Sequence, residues 1–229
     1  MLVLALDTTT RQGSVALARD GDLVASYAGD AAITHGVRLP GDVIRLLDAH
    51  DLRLEHVDLF AVAAGPGSFT GLRIGIATMQ GLALANGKPL AGISAMDAIN
   101  EAVSHRDDVA VWMDAQRGQV FSAIYGNHDV VEAALVDKPG DVLARWVRER
   151  RLPTTFAGDG ALAYKDLIRA ALPGTRIVEP VPPLAPSVAR LAGEQVRQHG
   201  PSSPDAIRPI YIRRSDVELA RDRAAVAKP

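Results

Sequence analysis

A carboxylate followed by three hydroxyls, Asp7-Thr8-Thr9-Thr10, ends the first apolar run of the chain. An Asp at a strand end beside hydroxyl groups can hold the hydrated shell of a Mg²⁺ ion or orient a water near a phosphate. The same residues can equally cap a polar strand terminus. Asp114, with Arg117 three positions on, stands in a similar setting after a second apolar run, Val109–Met113. Asp7, Thr8, Thr9 and Asp114 are therefore the candidate contacts for a nucleotide or phosphate. Asp114 and Arg117 can also serve as a turn-stabilising pair. A phosphotransferase or ATPase working through Asp7 and Asp114 is the enzyme reading of these residues.

Other segments exclude more than they offer. Gly65-Pro66-Gly67-Ser68 precedes a helical pattern and could cradle an anion. It lacks the Gly-Lys-Ser/Thr ending of a P-loop, and Ser68 is not the central residue of a G-x-S-x-G elbow. Its expected role is a helix N-cap. His35 is followed at the fourth position by Leu39, which cannot ligate a metal, and His50 and His56 have no partner pattern. No metal site and no catalytic residue are expected. The chain has no cysteine, so it offers neither thiolate ligand nor Cys nucleophile, as suits a reducing cytoplasm.

These residues must be held by alternating strands and helices. The chain has 229 residues, 48% hydrophobic and 23% charged, with a net charge of −2. That composition fits a globular α/β protein and gives no basic excess for binding nucleic acid alone. Basic residues cluster at Arg145–Arg151 and Arg208–Arg214, but acidic residues elsewhere balance them. No run reaches the roughly 18 apolar residues of a membrane span. The opening Met1–Leu6 reads as a first strand and not as a signal peptide, since no basic segment precedes it.

Strands are expected at Leu2–Asp7, Ser14–Arg19, Leu23–Tyr27, Leu59–Ala64 and Leu90–Ile93. Leu39, Val43, Leu46 and Leu47 mark the apolar stripe of a helix ending near His50. A second helix runs from Ser68 to Asn86-Gly87. Its glycines at 71, 75 and 81 each cost roughly 1 kcal/mol relative to alanine, so something must approach its backbone closely. Leu72, Ile76, Met79 and Ala83 form its large apolar stripe, and Ala77, Gly81 and Ala85 a small-residue groove. More than one side of this helix is thus suited to contact, which points to a partner surface shared with the Leu39–Leu47 helix. Ser94 to Asp97 resembles a capping box opening a third helix to about Ser104.

After the polar break Ser104–Asp108, the strand–Asp–loop–Gly–strand order of the opening recurs through Asp114, Gly118 and Gln119–Tyr125. Strand 130–136, helix 141–151, strand 154–158 and helix 161–171 follow, then a proline-rich region bracketing a helix at 187–198. Two such halves suggest a duplicated, two-lobed ribonuclease-H-like α/β fold, with lobes at 1–104 and 105–229 and a docked tail.

Four blocks, LALDTTTRQGSVAL (residues 4–17), AAGPGSFTGLRIGIATMQGLALA (63–85), MDAQRGQVF (113–121) and PIYIRR (209–214), resemble the TsaB family of bacterial tRNA threonylcarbamoyladenosine biosynthesis proteins. The resemblance covers nearly the whole chain and implies the actin/Hsp70/sugar-kinase (ASKHA) fold. It further implies a cytoplasmic, non-catalytic subunit for placing threonylcarbamoyl on the adenosine beside the anticodon of tRNAs reading A-starting codons. Its expected partners are the transferase TsaD, as a heterodimer, and the ATPase TsaE, with tRNA met only through the complex; when the partner is absent, the apolar surface of the same helices can pair two copies as a homodimer. ATP or ADP and a metal are expected on those enzymes, with no cofactor on this chain. By family match the interface comprises Leu39, Val43, Leu46, Leu47, Leu72, Ile76, Met79, Gly81 and Ala83. The family commonly reads D-A-R-x-G-E-V-Y where this chain has Asp114-Ala115-Gln116-Arg117-Gly118-Gln119-Val120-Phe121.

Overall fold

The computed structural model describes residues 1–103, 108–127 and 129–213. Most of the expected polar break (residues 104–107), Arg214 of the second basic cluster and the rest of the expected second lobe beyond it lie outside the described residues. The first sheet has the order β3-β2-β1-β4-β5, from β1 (Leu2–Asp7), β2 (Ser14–Arg19), β3 (Asp22–Ala28), β4 (Leu59–Gly65) and β5 (Leu90–Ser94). β1 to β3 form an antiparallel meander, with Asp7 opposite Ser14, while β4 and β5 run parallel to β1.

The second sheet repeats that plan. β6 (Val109–Asp114), β7 (Val120–Gly126), β8 (Asp129–Asp137), β9 (Thr155–Ala157) and β10 (Arg176–Ile177) take the order β10-β9-β6-β7-β8, with Asp114 opposite Val120. Reading β6 as β1 and each later strand in turn, the two orders are identical. The expected duplicated ribonuclease-H-like fold is the observed one.

β1 is buried along its whole length because it carries helices on both faces. Leu2, Leu4 and Leu6 join the core under α1 (His35–Asp48) and α2 (Phe69–Ala85). Val3 and Ala5 point the other way, toward α3 (Ala95–Val103) and α7 (Ala185–His199). That second core also takes Val109, Val111 and Met113 of β6, so one apolar layer joins the lobes. Within the second lobe, Trp112 of β6, Phe156 of β9 and Trp146 of α4 (Pro139–Arg148) form a fully buried aromatic cluster.

Several boundaries differ from expectation: α4 ends at Arg148 and not at 151, and the short β10 was not expected. The segment 161–171 is two short helices, α5 (Asp159–Ala163) and α6 (Lys165–Ala171), divided at Tyr164, whose φ of −115° and ψ of 24° leave the helical range. And α7, though late in the chain, packs on β1, β2, β4 and β5. By contact, α7 and the tail behind it accompany the first sheet.

Candidate functional site

The loop leaving β1 is seated on α2. The Thr8 hydroxyl donates to the Gly71 carbonyl at 2.8 Å, and the Ser68 amide donates to the Thr9 carbonyl at 2.8 Å. A Cβ on Gly71 would collide with the Thr8 carbonyl, one on Gly75 with the Thr8 hydroxyl, and one on Gly67 would lie 2.6 Å from Thr9 Cβ. Two of the three helix glycines thus serve a contact inside this chain. Ser68 caps α2 as expected, its hydroxyl accepting from the Gly71 amide.

Asp7 is 2% exposed, and its Oδ1 accepts from the Thr9 amide at 2.8 Å and the Thr9 hydroxyl at 2.6 Å. Burial pushes its carboxyl up from the ordinary value; the two Thr9 bonds pull it down and the charge of Asp159 adds to the rise. A cavity of about 960 Å³ opens between the lobes, lined among others by Thr9, Thr10, Asp114, Arg117 and Asp159. Asp7 and Thr8 are not among its lining residues. Their side chains stand behind the wall because the loop has turned inward onto α2, while Thr9 and Asp114 line the space.

Across the cleft, the Asp114 carboxylate accepts from the amide of Gln116 at 2.8 Å and from its side chain at 2.7 Å. The sequence reading missed Asp159. Its Oδ1 accepts from the Asp114 amide at 3.0 Å and the Gly160 amide at 2.9 Å, and burial raises its pKa despite those bonds. The signal was Gly158-Asp159-Gly160 directly after β9, where a side chain on either glycine would strike the β6 backbone. The tail lines one side of the cleft: the Ile210 amide donates to the Ala64 carbonyl at 2.7 Å, and Tyr211 stacks on Phe69 at 5.5 Å.

His35, weighed from sequence only as a metal ligand, has a different role on α1, and Arg38 beside it was missed. Arg38 Nη1 meets Asp42 at 2.5 Å, and Nη2 reaches the Gln12 carbonyl and, at 2.9 Å, His35 Nδ1. His35 Nε2 lies 2.9 Å from the Thr10 carbonyl. A carbonyl only accepts, so Nε2 carries the proton and Nδ1 is free to accept from the guanidinium. Burial is the main cause of the lowered His35 pKa; Arg38 lowers it further, against the Thr10 bond and Asp42. No group of three His, Asp or Glu side chains among the described residues is placed to hold a metal.

The helix pair presents a different surface from the one expected. Leu39, Val43, Leu46, Leu47, Leu72, Ile76, Met79 and Ala83 are each at most 4% exposed, packed on their own sheet. Large apolar residues at helical spacing go to the largest apolar partner, and here that is the sheet. Of the expected interface residues only Gly81 faces out. The outer face is made instead of Val37 (74% exposed) and Ile44 (56%) on α1 and Leu84 (61%) on α2, with Gly41, Ala77 and Gly81 exposed among them. A Cβ on Gly41 or Gly81 would meet nothing within 4 Å.

Residues 24–218 match the family model described as TsaD: tRNA N6-adenosine threonylcarbamoyltransferase. The chain is 30% identical to the tRNA threonylcarbamoyladenosine biosynthesis protein TsaB of Bacillus subtilis, over 77% of this chain and 78% of that protein. It is 28% identical to TsaB of Escherichia coli, over 93% and 95%. The structure described as YeaZ from Pseudomonas aeruginosa superposes with a TM-score of 0.76 at 28% identity, covering 92% of this chain and 99% of that one. The family match over most of the chain and this likeness along nearly the whole length agree: the chain belongs to the TsaB family of tRNA threonylcarbamoyladenosine biosynthesis proteins.

Proposed function

We propose that this chain is a non-catalytic subunit that docks on a TsaD-type threonylcarbamoyltransferase and holds it in its working conformation. The observation that carries this reading is the outer face of α1 and α2. Three large apolar side chains there, Val37, Ile44 and Leu84, are more than half exposed and flank glycines with open space above them. Exposed apolar side chains beside small residues suit a second helix pair lying close against the first. A transferase of the same family model would bring a related pair of helices to meet it.

The cleft supports the non-catalytic part of the reading. Asp7, the residue best suited to orient a metal or water, spends Oδ1 on its own loop and lies behind the cavity wall. Nucleotide and metal then belong to the transferase and to the TsaE ATPase that joins the pair. With a net charge of −2, this chain meets tRNA through the assembled complex. No helix among the described residues is long and apolar enough to cross a membrane.

Gly81→Leu tests the reading, because the new side chain has room in the isolated protein and projects from the docking face. The expected result is a folded protein that no longer co-purifies with the transferase from the same organism and no longer supports tRNA modification reconstituted from purified components. Full modification without this chain, or with the variant, would overturn the proposal.

A further inference from the structure

Helix α1 is poorly specified by its own sequence at the end nearest the cleft. Thr34 stands at its N-cap without a side-chain cap bond, and its first turn has no acidic residue. Gly36 and Gly41 are weak helix formers, and Pro40 removes the amide that would bond to the Gly36 carbonyl. Yet this half carries Val37, the most exposed apolar side chain of the docking face. Something other than local propensity has to set where it lies.

The side chains on either side of Val37 supply that. His35 and Arg38 point inward, where the guanidinium bonds the Gln12 carbonyl and His35 the Thr10 carbonyl. Room for them comes from two glycines. A Cβ on Gly29 would overlap the guanidinium, and one on Gly13 would lie 2.9 Å from both Arg38 Nη2 and His35 Cε1. The loop they grip is the one whose other end, Thr8, is seated between Gly71 and Gly75 of α2. Both helices are therefore tied to residues 8–13, α1 through Arg38 and His35, α2 through Thr8.

We propose that Arg38 is a positioning residue for partner docking: a buried lock on the β1–β2 loop that sets the first half of α1, and Val37 with it, against α2. This rests on the docking reading above. Arg38 itself is only 8% exposed and cannot be a main contact. Its Nε finds no acceptor among the described residues, and a buried charge with an unmatched donor is weak evidence for a stabilising role. Such a group fixes geometry more than it raises stability. The planar fork also reaches three acceptors that a single ammonium cannot.

The lock requires neutral His35, because a second ring proton would turn Nδ1 from acceptor to donor against the guanidinium. The charged groups bearing on His35 are Arg38 and Asp42 from its own helix; Asp7, at the end of β1, lies within electrostatic reach of Arg38.

The experiment is calorimetric titration of the full chain with the transferase from the same organism, across pH. Arg38→Lys is expected to keep the wild-type circular dichroism and lose about tenfold or more in affinity, the scale of a lost charge-assisted bond. His35→Leu should weaken binding at neutral pH. His35→Gln, which keeps one donor and one acceptor, should bind as wild type there and lose less affinity than wild type on acidification. Ile44→Glu serves as the surface control. If Ile44→Glu and Gly81→Leu abolish binding while Arg38→Lys and His35→Leu bind like wild type, the lock is overturned and docking stands. If the two surface variants bind normally, docking falls and the lock with it. Should Arg38→Lys fail to fold, the paired His35 variants decide the matter: equal affinity of His35→Leu and His35→Gln overturns the proposal.

Discussion

The Thr8 hydroxyl donates to the Gly71 carbonyl at 2.8 Å, and the same hydroxyl occupies the space a side chain at Gly75 would need. The notch in α2 therefore has a fixed occupant, and glycine at 71 and 75 is a steric requirement. Gly81, about one and two-thirds turns further on, has no such neighbour. The two kinds of glycine should respond to alanine with opposite signs. Gly81→Ala gains helix propensity and should stabilise by up to about 1 kcal/mol. Gly75→Ala gains the same propensity but drives a methyl into Thr8, and overpacking of about 1–3 kcal/mol should leave it destabilised overall. Urea unfolding of both variants checks the signs; two stabilised proteins would refute the notch.

Asp7 should behave unlike an active-site carboxylate. Burial raises its folded pKa above the unfolded value of 3.8, so between those two values the folded state binds more protons. Its contribution to stability therefore grows as pH falls through the raised value and disappears as pH rises. Asp7→Asn keeps an oxygen to accept from the Thr9 amide and hydroxyl. It should be neutral or stabilising at pH 7 by up to about 1 kcal/mol, with stability less favoured by acid than in wild type. Marked loss of stability at neutral pH would show that the charge is needed.

His35 carries the reverse sign. Its folded pKa lies below the ordinary 6.5, so the unfolded chain binds the extra proton between those values. Stability from this group is complete above 6.5 and falls away as pH drops toward the folded value. His35→Gln should flatten that part of the profile. Thermal unfolding of both proteins across the mildly acidic range reads it, and parallel curves would contradict the neutral-ring geometry.

How much of this was legible follows from what each residue depends on. Strand and helix positions came through because alternation and helical spacing are local properties, and Leu39, Val43, Leu46 and Leu47 mark α1 by spacing alone. The same stripe misled about the interface. Apolar spacing identifies the face that is buried, and the sequence does not say whether its own sheet or another protein does the burying. The glycines of α2 correctly signalled a close backbone approach, but the visitor at Gly71 and Gly75 is a residue more than sixty positions away in the same chain. Asp7 looked available because its partner Thr9 is only two positions on and short-range bonds leave no periodic trace. Asp159 and Arg38 were missed for a related reason: their partners Asp114 and Gln12 meet them only after the sheets form.

Glu132 on β8 offers a test of the second lobe alone. It accepts from Arg145 through both oxygens at 2.7 and 2.9 Å, from Trp146 Nε1 at 2.9 Å and from Arg151 at 2.7 Å. Burial pushes its carboxyl up, but the Arg145 and Trp146 bonds and the two guanidinium charges prevail and hold it below 4.5. The stability it supplies is present above 4.5 and lost as pH falls through the lowered value. Glu132→Ala should cost about 2–3 kcal/mol, because it strands the buried Trp146 donor while both arginines can still turn to water. A variant with wild-type urea midpoint would show that the cluster is held by packing around Trp146 alone.

Leu84 and Ile44 give the docking face a consequence that needs no partner. Apolar side chains this exposed, 61% and 56%, favour any arrangement that covers them, and a second copy of the chain brings the same surface with two-fold symmetry. The isolated protein should therefore associate as its concentration rises, and sedimentation velocity should resolve a dimer. Leu84→Glu places a charge in that contact twice over, once from each copy, and should shift the equilibrium to monomer. Because Leu84 lies on the outer face of α2, its unfolding midpoint should change little, within about 0.5 kcal/mol of wild type. Leu72→Ala supplies the contrast. That side chain is 1% exposed beneath the same helix, and its loss should cost about 2–5 kcal/mol. A wild-type chain that stays monomeric at every concentration would refute the self-association, and a Leu84→Glu dimer as tight as wild type would place it elsewhere than on this helix pair.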